Sequence, residues 1–268
     1  MKKVASLRYG VIFKKAFSDP EIFTAFVRDM AGVELEIDTV ETEKEFDPPI
    51  GSVKSRFDLF AQDIKHRLIV DIQHERYSDH YDRFMHYHLA AILEQVKHSE
   101  DYTPPMTVFT IVVLTSGDKH KTDIAITDFD PKNLKGRPLG ELHHKIMYLC
   151  PKYVTDETPE PFRTWLRAIQ DTLDEEVDET GYDRPEIRKI FDYIEKDAVS
   201  PVERAKMFDE HGQEKLQDEK YEEGLIEGEQ RKALDTARNL LKMGLSVEQI
   251  AQATGLPIED IQRLTPET

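Results

Sequence analysis

Cysteine is nearly absent from this 268-residue chain. The one thiol, Cys150, excludes an intrachain disulfide and fits a reducing compartment. Placed after the strand-like segment 144–149, it reads as a small buried hydrophobe. Long apolar runs are missing as well: nothing approaches the roughly eighteen residues that a membrane span needs. Met1-Lys2-Lys3 leads into no hydrophobic leader region, so the expectation is a cytoplasmic protein without membrane contact. Basic residues are the minority, 36 against 53 acidic, for a net charge of −17. That balance argues against a protein that coats nucleic acid by diffuse phosphate neutralisation.

What the chain does have is enough apolar material, 39% hydrophobic and 9% aromatic, to bury one main domain and carry an appendage. Asp19-Pro20-Glu21 is a helix start, with Ile22, Phe23, Phe26, Val27 and Met30 as its apolar stripe and Gly32 as its stop. Val33, Leu35 and Ile37 alternate with acids and predict a strand. Pro48, Pro49 and Gly51 then break the chain. Residues 78–97 have helical length and periodicity, 106–114 reads as a central strand, and 123–127 and 145–149 are weaker strands. From Pro161 the pattern is helical, over 162–173, 185–194 and from 201 toward 240. This order predicts an α/β core with a mixed sheet flanked by helices, followed by an all-helical C-terminal appendage.

Within the core, residues 57–75 read FDLFAQDIKHRLIVDIQHE. Phe57, Leu59 and Ala61 alternate with Asp58 and Phe60, residues 63–66 carry turn chemistry, and Leu68-Ile69-Val70 is a buried β-branched run. The prediction is a hairpin with Asp71 and Gln73 on one face and Leu68, Val70 and Ile72 on the other. A carboxylate leaving a buried strand is costly unless paired, and a divalent cation suits two such acids. Asp58 and Asp71 would supply carboxylate oxygens to Mg²⁺, the Ile72 backbone carbonyl would add a third, and Glu75 shares the face of Asp71. On spacing alone, both aspartates also fit ordinary hairpin-edge acids.

The pattern D-(x12)-D-I-Q at Asp58, Asp71 and Gln73 resembles the PD-(D/E)XK nuclease core in the form found in the Rpn family of recombination-promoting nucleases and transposases. The segment from Tyr9 to Phe17, Arg83 and Tyr87 after the motif, and the ending Ala253-Thr254-Gly255-Leu256-Pro257 extend the likeness over nearly the whole chain and favour the catalytic reading. The resemblance implies a restriction-endonuclease-like fold and a Mg²⁺-dependent DNA endonuclease, with Mn²⁺ as an alternative, linked to recombination or transposition. It implies Asp58, Asp71 and Gln73 as catalytic residues and Asp58, Asp71 and Ile72 as metal ligands. Lys14, Lys15, Arg76 and Arg83 are the expected DNA contacts; salt bridges to nearby acids compete for the two arginines. Two departures stand out. Gly10 occupies a place often acidic in members, and Gln73 replaces the Lys of wider relatives, leaving a neutral donor and acceptor in place of a charge.

Expected boundaries are 1–155 for the nuclease-like core, 156–208 for a helical extension, and 209–268 for a charged helix with a small helix-turn-helix-like tail. Residues 209–232 hold nine acids and four bases, a solvated pattern. Ser246-Val247-Glu248-Gln249 is a capping box, and Gly255 turns into a last helix with Ile258, Ile261 and Leu264. Glu259 and Asp260 at that helix's start oppose phosphate, so homo-oligomer association is expected of the tail over DNA reading. An inactive mobile-element-derived protein working through such association is the alternative function. His74, His80, His86 and His88 invite zinc, but the last two lie two apart on a predicted helix and face different sides.

Overall fold

The computed structural model describes residues 1–46, 55–74, 80–96 and 102–264. Contacts divide the chain into two compact units, 1–210 and 211–268. In the first, a two-residue strand, β1 (Lys2–Lys3), precedes helices α1 (Gly10–Phe17) and α2 (Pro20–Ala31). Helix α2 forms where the sequence predicts it. Asp19 accepts the Glu21 and Ile22 N–H groups at 3.0 and 3.2 Å, Pro20 opens the first turn, and Gly32 closes the helix in the left-handed region at φ +71°.

The chain then supplies β2 (Glu41–Phe46), β3 (Ser55–Gln62), β4 (His66–Gln73), α3 (His80–Leu93), β5 (Thr107–Leu114), β6 (Ile124–Asp128) and β7 (Lys145–Leu149). These strands form one mixed sheet in the order β2-β3-β4-β5-β7-β6, with β4, β5 and β7 parallel and the remaining neighbours antiparallel. Helix α4 (Phe162–Asp171), the short β8 (Glu176–Val177), which pairs with β1, and α5 (Pro185–Tyr193) complete the unit with the start of α6 (Pro201–Lys242).

Helices cover both faces. Leu59, Ala61, Leu68, Val70, Ile111, Val113 and Leu149 bury against α1, α2, α4 and α5, where Phe17, Phe26 and Trp165 meet. Ile69, Val108, Val112, Ile146 and Tyr148 bury on the opposite face beneath Phe84 and Ala91 of α3. Two-sided burial is why β4 and β5 read as continuous apolar runs and not as alternations. The 156–208 segment contributes Trp165, Leu166, Ile187, Ile190 and Phe191 to the same core as residues 1–155.

The strand expected around residues 33–37 does not form. Leu35 is buried and Val33 and Ile37 pack on the core, but among the described residues no neighbouring strand takes their backbone groups. Alternation there records an extended segment lying on a surface. The strand falls instead at β2, an outer strand whose burial is confined mostly to Phe46, so its sequence ETEKEF carries little apolar signal. The predicted Pro48, Pro49 and Gly51 break lies outside the described residues, as do the outer ends of the 78–97 helix.

In the unit 211–268, the side chains described between 211 and 232 on α6 are all exposed. Beyond them Ala237, Ile250 and Ile261 form a small core with Leu240, Leu241, Leu245, Val247, Leu256 and Leu264. Helix α7 (Val247–Thr254) starts in a complete capping box between Ser246 and Gln249, Gly255 turns the chain at φ +69°, and α8 (Ile258–Arg263) follows. Among the described residues no helix is long and apolar enough to cross a membrane.

Candidate active site

The hairpin of β3 and β4 is closed by Asp63, whose carboxylate accepts the Lys65 and His66 N–H groups, each at 2.7 Å. Its ladder runs from Gln62 opposite Arg67 to Leu59 opposite Val70, and stops. Strict alternation would put Phe57 and Leu59 on one face. Here Leu59 enters the core beneath α1, while Phe57 packs edge-on against Phe46 and Tyr87 on the other side. The strand therefore rolls over at Asp58.

Two carboxylates fill the opening. Asp58 donates its backbone N–H to Asp71 Oδ1 at 3.4 Å, and Ile72 donates its N–H to Asp58 Oδ2 at 3.1 Å. Asp71 is buried, and its second oxygen, Oδ2, is buried with no hydrogen-bond partner. Burial first, then the neighbouring Asp58 charge, push the Asp71 carboxyl well above its ordinary range; the Asp58 N–H and the Arg83 and Lys14 charges oppose the shift. Asp58 is also raised, by burial against the pull of Lys14 and of the Ile72 N–H. N–H and C=O of one strand residue face the same side, so the Ile72 carbonyl faces the opening that its N–H enters.

Cationic and amide groups border the pair. Lys14 of α1 places Nζ 3.4 Å from Asp58 Oδ1 and also binds Glu43, which in turn binds Arg56. Burial alone would lower the Lys14 pKa, but the Asp58 charge and the Glu43 contact outweigh it and hold the ammonium above its ordinary value. Glu43, on β2 beside Asp58, adopts φ +57°, an uncommon conformation for a side-chain-bearing residue. Arg83 donates Nη1 to Gln73 Oε1 at 3.2 Å and lies 5.4 Å from the centre of the Tyr87 ring. Because guanidinium only donates, this contact fixes which end of the Gln73 amide is the oxygen and leaves NH₂ on its other branch. Glu210, on α6, accepts the Gly10 and Val11 N–H groups at 2.7 and 3.2 Å.

The expected site residues thus separate. Asp58, Asp71, Ile72, Gln73 and Arg83 come together with Lys14, which sits against the carboxylates and not on an outer rim. Lys15 bonds the Ala198 carbonyl at 2.6 Å and Glu203 at 2.9 Å. Arg76 and Glu75 lie outside the described residues. Glu43 and Glu210 were not singled out from the sequence; neither adjoins the motif along the chain, and Glu210 falls in the acid-rich stretch 209–232 that reads as solvated. His88 is buried with Nδ1 2.9 Å from Thr110 Oγ1, and His74 lies 2.7 Å from Thr115 Oγ1. Among the described residues no group of three or more His, Cys, Asp or Glu could hold a metal ion. Two carboxylates suffice for Mg²⁺, which keeps waters in the rest of its shell.

No curated protein and no solved structure gave a match. The family model described as PD-(D/E)XK nuclease family transposase matches residues 11–223, a span that takes in α1 from Val11 on with Lys14, the Asp58–Asp71 hairpin, Gln73, Arg83 and Glu210. With most of its length matched, and with the mixed sheet and paired strand acids in place, the chain belongs to the PD-(D/E)XK nuclease family transposases.

Proposed function

We propose that the protein is a divalent-metal-dependent DNA endonuclease, linked through its family to recombination or transposition. The observation that carries this reading is the buried Asp71 Oδ2, an acid oxygen left without a donor beside a second carboxylate of raised pKa. Such an arrangement is unfavourable in a finished core and suited to a cation. Asp58 and Asp71 hold Mg²⁺, or Mn²⁺ in its place, with the Ile72 carbonyl as a further oxygen ligand. The ion, when bound, polarises the scissile phosphate and lowers the pKa of a bound water.

The remaining roles belong to the chain's own groups. Gln73, its oxygen held by Arg83, presents N–H donors to the attacking water or a phosphate oxygen. Lys14 brings the positive charge that Gln73 lacks, placed to stabilise developing phosphate charge beside Asp58. Arg83 adds positive charge near Asp71 and a route to the DNA backbone. Lys15 and Arg76 are assigned to DNA approach, Lys15 through exchange of its Glu203 contact for phosphate. The helical 211–268 unit is assigned to self-association.

Plasmid nicking by purified protein with Mg²⁺ or Mn²⁺, with Asp71→Ala as control, tests the reading. Metal-dependent nicking lost in the variant is expected. Equal nicking by both forms, or none by the wild type while it binds Mn²⁺ tightly, would overturn it.

A further inference from the structure

Helix α1 starts without a cap of its own: Tyr9 contributes no side-chain bond, and the first turn holds no acid. Its exposed-dipole end should welcome an anion and repel a cation. Yet Lys14, one turn along, folds its side chain back toward that end, as helix side chains do. A Cβ added to Gly10 would lie 3.9 Å from Lys14 Nζ and 3.8 Å from each carboxylate oxygen of Glu210. Ammonium and carboxylate therefore share the small space that residue 10 leaves open at the helix start.

Glu210 arrives there from 200 residues down the chain, yet inside the same compact unit as α1. Its two oxygens take the Gly10 and Val11 N–H groups. Its charge offsets the positive helix end beside which Lys14 must sit to reach Asp58.

We propose that Glu210 is a positioning residue: by covering the start of α1 with negative charge, it holds the Lys14 ammonium against Asp58. This rests on the nuclease reading for its catalytic consequence, but not for its structural one. Lys14 touches the reacting region; Glu210 acts through it.

The test uses the full chain and Glu210→Gln, which removes the charge and keeps one carbonyl acceptor, so that one of the two N–H groups retains its bond. Acylation of individual lysines by a water-soluble amine reagent, read by mass spectrometry, reports Lys14 directly, with the exposed Lys152 as reference. The expected result is a severalfold faster Lys14 acylation, unchanged Lys152, and a severalfold lower kcat for nicking with KM held. Adding Gly10→Glu to Glu210→Gln creates a Glu–Lys pair four residues apart, and should restore both readouts. Lys14 acylation at the wild-type rate in Glu210→Gln would overturn the proposal. Faster acylation that Gly10→Glu fails to reverse would also overturn it, leaving Glu210 as a cap for the fold alone. If no form nicks DNA while the acylation pattern appears as expected, the positioning stands and the nuclease reading falls.

Discussion

Asp58 and Asp71 each accept a backbone N–H of the opposite strand of one hairpin: Asp71 takes that of Asp58 itself, and Asp58 takes that of Ile72. A continuous ladder would have sent such donors to carbonyls. The exchange locks two acids together at the point where β3 and β4 separate, and burial makes their charge costly.

In metal-free buffer, Asp71→Asn should therefore stabilise the protein, by about 1–3 kcal/mol, because the amide oxygen still accepts the Asp58 N–H while the buried charge disappears. Mn²⁺ should raise the melting temperature of the wild type and leave that of the variant unmoved. Nicking should fall at least about a hundredfold. Denaturant melts with and without metal check the pair of effects; an Asp71→Asn protein less stable than wild type in metal-free buffer would contradict it.

His88 sets the acid side of the stability profile. It is fully buried against Thr110, Phe129 and His144, and burial, with the His144 charge second, lowers its pKa from 6.5 to about 3. A lowered histidine stays neutral in the fold while the unfolded chain takes up a proton. Its contribution is nil above pH 6.5, and stability then falls as pH drops toward 3, by about 1.4 kcal/mol per pH unit. His88→Gln should flatten that limb in urea melts taken between pH 6.5 and 4, whatever its effect at pH 8.

Gly117 admits no side chain. Its φ is +79°, and an added Cβ would fall 2.6 Å from the Tyr153 ring, whose hydroxyl donates to the Asp118 carbonyl at 3.3 Å. Gly117→Ala should cost about 2–4 kcal/mol through backbone strain and displacement of that ring. Adding Tyr153→Ala should recover only the steric part, which a double-mutant cycle would measure.

A chain ending at residue 220 keeps Glu210 about three turns inside α6 and removes α7 and α8. It should melt like the parent, retain Mn²⁺ binding, and sediment with fewer copies per particle than the parent if the 211–268 unit associates. An unchanged number of copies with a shallower salt dependence of DNA binding would assign that unit to DNA instead.

The sheet was legible in the sequence wherever strands are buried on both sides, because runs such as 107–114 leave little room for another element. The adjacency of Asp58 and Asp71 was legible because a hairpin converts a twelve-residue gap into neighbours, whereas their catalytic reading came from the family likeness and not from spacing. Lys14 could not be placed from the same signals: α1 shows two consecutive lysines, and only tertiary packing sends one to Asp58 and the other to Glu203. Nothing along the chain connects Glu210 with Gly10, since a contact across 200 residues leaves no periodicity. β2 was hidden by its position at the sheet's edge, where acidic side chains cost little, while residues 33–37 imitated a strand.

The early end of the β3–β4 ladder has one more consequence. Because carboxylate oxygens there serve the backbone as well as any ion, an amide in their place can keep both N–H groups satisfied while abolishing the charge. Chemistry and architecture are thus separable by a single amino-acid replacement at this spot. Copies of the gene that have lost activity by this route would retain the same sheet and the same hairpin. Only the identity of the side chains at 58 and 71, never the outline of the fold, would tell them from working enzymes.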